Sequence, residues 1–177
     1  TIPEKVTELP EDVFSYCTSL SRVVFPAGLK TIGTRAFAGT ALTSLNLEDT
    51  QVETISQTAF FQVGTLTDVN FPSTLKEIGD QAFQGTDIAN LELNEGLETL
   101  GEWAFGDIHS LANVYLPSTL KEVGQCCFQW NQIGEGKVNY YTPLASIPST
   151  WNENWVVETA ANINLSSSLE EFHNAIA

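Results

Sequence analysis

Residues 75–93 read LKEIGDQAFQGTDIANLEL, and most of that string returns along the chain. Its phenylalanine belongs to the series Phe14, Phe37, Phe60, Phe83, Phe105 and Phe128, at steps of 23, 23, 23, 22 and 23 residues. A fixed period in this range marks a solenoid, because each unit can bury its apolar side only against its neighbours. The phenylalanines are expected to stack as one internal column.

Aligned on that ring, every unit carries two apolar segments. One ends in pairs such as Leu29/Ile32, Leu75/Ile78 and Leu120/Val123. The other alternates, as in Val69/Phe71, Leu91/Leu93 and Val114/Leu116. Alternation with period two is a strand with one buried face, so one strand per coil builds a parallel sheet. Gly33, Gly79, Gly101 and Gly124 follow the first segment, where glycine permits a turn that other residues resist. The Gly-x-x-Ala-Phe stretch is too short for a full helix, so a single helical turn or a 3₁₀ piece is expected. Pro26, Pro72 and Pro117 close the alternating strand, where a missing N–H does no harm. The fold class is therefore α/β and β-rich. It is a right-handed solenoid of about six coils, with a short parallel concave sheet and short turns or 3₁₀ pieces on the convex side.

Charge follows the same period. Lys30, Glu53, Lys76, Glu98 and Lys121 occupy one repeat position with alternating sign, so neighbouring coils set opposite charges side by side. With 22 acidic and 7 basic side chains the net charge is −15, which argues against nucleic acid and against anionic membrane surfaces. No apolar run reaches membrane-spanning length. Three cysteines cannot close a disulfide set. Cys127 takes the place of Ala36, Ala59, Ala82 and Ala104 and reads as a small core residue; a strained Cys126–Cys127 disulfide or a reactive thiol is the alternative.

The segment at 75–86 with its following Leu91-Glu92-Leu93, and residues 116–124 (LPSTLKEVG), resemble the leucine-rich repeats of BspA-type bacterial surface proteins. The resemblance covers residues 1 to about 142. The first and last units fit least well, with Val13 for the alanine, Pro10 for the glycine, and added length at Gly134–Gly136. The commoner leucine-rich repeat's buried asparagine ladder is absent from the pattern. The resemblance implies a secreted or surface-anchored protein without catalytic residues, engaging host or microbial partners. It transfers no binding residue. Ile2-Pro3 matches Leu116-Pro117, so the chain begins inside the pattern and reads as a fragment of a longer protein.

The solenoid is assigned to 1–142 and a C-terminal cap to 143–177. Trp151 and Trp155 are expected to cover the last coil, with a sugar-stacking platform as the alternative. Ser168 and Glu171 form a capping-box pattern, and Leu169, Phe172 and Ile176 share one helical face. That helix either packs on the solenoid or opens a further domain.

The expected binding surface is the outward side of the alternating strands. Its residues are Arg22, Ser44, Asn46, Asp68, Asn70, Asn90, Glu92, Asn113, Tyr115, Asn139 and Tyr141, flanked by Val24, Glu48, Asn94 and Lys137. Asparagine is a poor strand former, so its recurrence there suggests either hydrogen-bonded recognition or a soluble, non-aggregating face. Tyr115 and Tyr141 are the expected aromatic anchors. No nucleophile elbow, zinc-helix, phosphate-loop or EF-hand pattern is present, and His109 and His173 are far apart in sequence. The expectation is a monomeric, non-enzymatic adhesion-type module at the cell surface or outside the cell. It needs no cofactor or metal, and its partner is a protein or glycan. A spacer displaying a neighbouring domain is the alternative.

Overall fold

The computed structural model describes residues 1–129, 131, 138–156 and 162–177. Lys137, Gly134 and Gly136 lie outside that set. In chain order the elements are β1 Glu8–Leu9, β2 Thr31–Ile32, β3 Ser44–Asn46, β4 Thr54–Ile55, β5 Asp68–Asn70, β6 Glu77–Ile78, β7 Asn90–Glu92, β8 Thr99–Leu100, β9 Asn113–Tyr115, β10 Glu122–Val123, β11 Asn139–Tyr141, β12 Asn162–Asn164 and α1 Leu169–Ile176.

Every strand pairing among the described residues is parallel, and the coils stack as a solenoid. The alternating segments form the longer strands, β3–β5 and β7–β9–β11–β12. The sequence reading gave each coil one strand, but most have two. The first apolar segment makes its own ladder, β1–β2–β4–β6–β8–β10, of two residues per coil. Two residues are too few for an alternating pattern to show. The ladder advances one repeat per step, Ile32 on Ile55 and Ile55 on Ile78, so like side chains stack inward. The alternating charges sit just before these strands. Each donates its backbone N–H to the preceding coil, and Lys121 Nζ lies 3.3 Å from Glu98 Oε2.

Between the two ladders each coil passes through overlapping turns around the phenylalanine. In the second coil Ala36, Ala38 and Thr40 donate backwards to Gly33, Arg35 and Phe37, while Arg35, Phe37 and Gly39 donate across to Gln57, Ala59 and Phe61. Successive N–H groups thus alternate between closing a turn and joining coils. Turns with a left-handed third residue satisfy this alternation. Accordingly Asp12, Arg35, Thr58, Gln81, Trp103 and Cys126, each two residues before a phenylalanine, have φ between 53° and 59°.

The glycines after the first segment have a different role from the one expected. The left-handed residue lies two positions further on. A Cβ on Gly33 would stand 2.4 Å from Leu9 O, and one on Gly79 would stand 2.7 Å from Gln57 N. Glycine is needed here because adjacent coils approach backbone to backbone, not because of an unusual dihedral.

The aromatic column is present. Phe37, Phe60, Phe83, Phe105 and Phe128 are fully buried, and Phe14 is half-buried at the first coil. Successive centroids are 5.3, 5.3, 5.1, 5.1 and 5.8 Å apart. Trp155 packs edge-on against Phe128 and Tyr140, and Trp151 packs edge-on against Trp155. Both indoles are buried. Neither offers a face for stacking a sugar, so they close the core. Cys127 is buried in the core as a free thiol, and burial pushes its ionisation well up, away from a reactive thiolate.

Candidate binding face

The outward side of the longer strands carries the expected polar residues in strict register. Ser44 stands beside Asp68 and Asn46 beside Asn70. Further along, Asn90, Asn113, Asn139 and Asn162 form one row, and Glu92, Tyr115, Tyr141 and Asn164 form the next. Asn113 Nδ2 donates to Asn90 Oδ1, and Asn162 Nδ2 donates to Asn139 Oδ1, each at 3.0 Å. Part of the asparagine content thus has a structural cause: side-chain amides bridge neighbouring strands. Sequence reading missed Asn162, because the repeat pattern fails before it and β12 was not anticipated. Asn94 is half-buried, and its amide donates to Leu75 O at 2.9 Å.

The face divides in two. Arg22, Ser44, Asn46, Asp68, Asn70, Asn90 and Glu92 are exposed. A cleft of about 370 Å³ is lined by Arg22, Phe25, Ser44, Asn46 and Asp49. Another of about 280 Å³ is lined by Glu48, Asn70, Phe71, Glu92 and Asn94.

Over β9 and β11 the face is covered in part by α1, while Asn162 on β12 stays exposed. Ser168 caps the helix, accepting from Glu171 N at 3.1 Å, while Glu171 Oε2 accepts from Ser168 N at 2.7 Å. The helix therefore packs on the solenoid. Phe172 is fully buried, its ring centroid 5.8 Å from that of Tyr115 and 5.8 Å from that of Tyr141. Next to it, His173 Nε2 lies 2.8 Å from Glu92 Oε2.

Tyr115 consequently departs from expectation. It sits at an outward strand position but is 4% exposed, because Phe172 lies over it. Its hydroxyl donates to Glu95 Oε1 at 3.1 Å. Burial, then the hydrogen bond to Glu95, then the nearby carboxylate charge push the phenol up to about 12. It is no open anchor. Tyr141, Asn113 and Asn139 are half-buried beside it.

Elsewhere, His109 Nε2 lies 2.8 Å from Asp107 Oδ1 on an exposed turn. Among the described residues no cluster of three or more His, Cys, Asp or Glu could hold a metal ion. Among them, too, no helix is long and apolar enough to cross a membrane.

Parallel coils of about 23 residues, a buried phenylalanine column and in-register strands define a leucine-rich-repeat solenoid. The model of the BspA type leucine-rich repeat region matches residues 1–92 and 39–155, and the chain belongs to that family. No curated protein matches it. Among solved structures it is similar to a leucine-rich repeat protein from Bacteroides ovatus, at 19% identity and a TM-score of 0.50, over 93% of this chain and 53% of that one. The chain thus spans about half the length of that relative. It is also similar to the pneumococcal vaccine antigen PcpA, at 17% identity and a TM-score of 0.42, over 96% of this chain and 68% of the antigen. A leucine-rich cell surface protein from Faecalibacterium prausnitzii is 16% identical with a TM-score of 0.44, over 100% of this chain and 55% of that one.

Proposed function

We propose that this chain is a non-enzymatic binding module, displayed at the cell surface or secreted. It engages a host or microbial protein or glycan through the half of the longer-strand face that α1 leaves open. The observation that carries this reading is the exposed grid of Ser44, Asp68, Asn46 and Asn70, held in register between two clefts. A rigid sheet presenting short amides, a hydroxyl and a carboxylate offers many adaptable hydrogen bonds at low ordering cost. Membership in the BspA-type repeat family supports display outside the cell.

The test replaces Asn46, Asp68 and Asn70 together by alanine, then measures binding to immobilised matrix proteins and to a glycan array. All three are surface residues, so the fold should hold. A ligand of the wild type is expected to weaken about tenfold or more, since several hydrogen bonds are lost at once. Equal binding by the triple variant sinks the reading.

A second reading has an observation in its favour. The amide bridges from Asn113 to Asn90 and from Asn162 to Asn139 give asparagine a task inside the sheet. That suits a spacer whose face needs no ligand, and a spacer would bind nothing on either array saturably.

A further inference from the structure

The two elements at the C-terminal end of the solenoid are attached in different ways. The tryptophan cap is stitched to the last coil. Cys126 N donates to Asn154 O, Phe128 N to Trp155 O and Asn152 N to Val123 O, and Trp151 Nε1 donates to Leu120 O. Helix α1 is not stitched. Its lead-in is fixed, with Ser166 N on Leu144 O and Ser167 N on Thr142 O, but from Leu169 onward no backbone hydrogen bond joins the described residues of the helix to the sheet. One buried ring, Phe172, holds it, together with the contact between exposed His173 and Glu92; Leu169 and Ile176 are half-buried. A helix of eight residues is marginal in water without its packing.

The seat beneath is complete without the helix. The Tyr115 hydroxyl is satisfied by Glu95, and Glu95 is itself held by Ser118 N at 3.1 Å and Ser118 Oγ at 2.8 Å. Asn113 is satisfied by Asn90. Lifting α1 strands none of these groups. It uncovers an aromatic cleft of Tyr115 and Tyr141 with Glu92 and Glu95 at its rim.

We infer that the Tyr115–Tyr141 cleft is a binding site for a short amphipathic helix that presents an aromatic side chain followed by a basic one, and that α1 is its intramolecular occupant. The aromatic fills the cleft and the basic group meets Glu92, as Phe172 and His173 do. A partner segment of that chemistry competes with α1. Tethering gives α1 a high effective concentration, so the partner binds tightly only when α1 is weakened. Glu92 borders both sites, but the grid of Ser44, Asn46, Asp68 and Asn70 takes no part in seating α1, so the open half binds or fails to bind on its own account.

The test uses the full chain and a synthetic peptide of residues 165–177. Hydrogen exchange of the wild type should release the Phe172–Ile176 amides about tenfold or more faster than Leu91 and Val114, as a separately opening unit does. In the Phe172→Ala chain the peptide should give saturable shifts of the Val114 and Tyr115 amides. Its affinity there should be about tenfold or more above that for wild type, because the competitor in cis is weakened. A peptide with alanine at the Phe172 position should bind neither chain. Exchange of α1 together with the sheet overturns the inference. So does equal peptide binding by both chains, absence of binding to Phe172→Ala, or loss of the folded circular dichroism signature in that variant. A positive result here with no ligand for the open half would leave this site standing while the adhesion reading falls.

Discussion

The Tyr115 hydroxyl donates to Glu95 Oε1 at 3.1 Å from beneath the ring of Phe172. All three causes of its raised ionisation favour the neutral phenol: burial, the hydrogen bond to Glu95, and the nearby carboxylates. The folded chain therefore holds this proton up to about pH 12, against the ordinary value of 10.0. Unfolding above that ordinary value releases the proton, so the stabilisation is complete below it and is lost as pH rises toward the folded value. The urea midpoint should fall from pH 9.5 to pH 11.5, and Tyr115→Phe should flatten that fall. An unchanged slope in the variant would show that Tyr115 does not carry it.

The turn glycines provide a matched pair. A Cβ on Gly79 would stand 2.7 Å from Gln57 N and 2.9 Å from Ser56 C, both backbone atoms that cannot swing aside. A Cβ on Gly28 would meet nothing within 4 Å. Gly79→Ala should therefore cost about 1–3 kcal/mol by prying two coils apart. Gly28→Ala should be neutral or gain up to about 1 kcal/mol through the unfolded chain. Equal denaturation midpoints for the two variants would contradict the close-approach account.

The sequence revealed the features that repeat with a side-chain signature. The phenylalanine column was legible because six like residues at one position can share only one internal line. The alternating strands were legible because period two is visible over three or more apolar positions. The two-residue ladder was not, since a pair such as Thr54–Ile55 carries no period. The role of Gly79 was misassigned because glycine has two uses, and residues alone do not separate a left-handed dihedral from a backbone contact. On the candidate face, alternation correctly placed Tyr115 outward. What covers it is Phe172, fifty-seven residues later, and no local pattern states where an amphipathic helix will lie down. Asn131 was also missed. It is fully buried, accepting from Ile108 N at 2.7 Å and donating to Phe105 O at 2.9 Å. It reads as an ordinary polar residue in a segment where the repeat breaks.

The left-handed residues before and after a phenylalanine yield predictions of opposite sign, as Thr58 and Gly85 illustrate. Thr58 has φ 53°, and its branched Cβ is ill suited to that region. Its backbone N–H is committed to Asp80 O at 2.9 Å, so the conformation is imposed by coil stacking and stays whatever the side chain. Removing the side chain relieves about 1–2 kcal/mol of left-handed strain, against about 0.5–1 kcal/mol of added chain entropy. Thr58→Gly should therefore stabilise the fold by roughly 0–1.5 kcal/mol, the difference between those terms. Gly85, two residues after Phe83, has φ 77°, and an added Cβ would come no nearer than 3.5 Å to Gln62. Space is available there, so only the dihedral resists, and Gly85→Ala should cost about 1 kcal/mol. Urea unfolding of the two single variants measures both. Should Thr58→Gly destabilise, the strain assigned to the position before the phenylalanine would have to be abandoned.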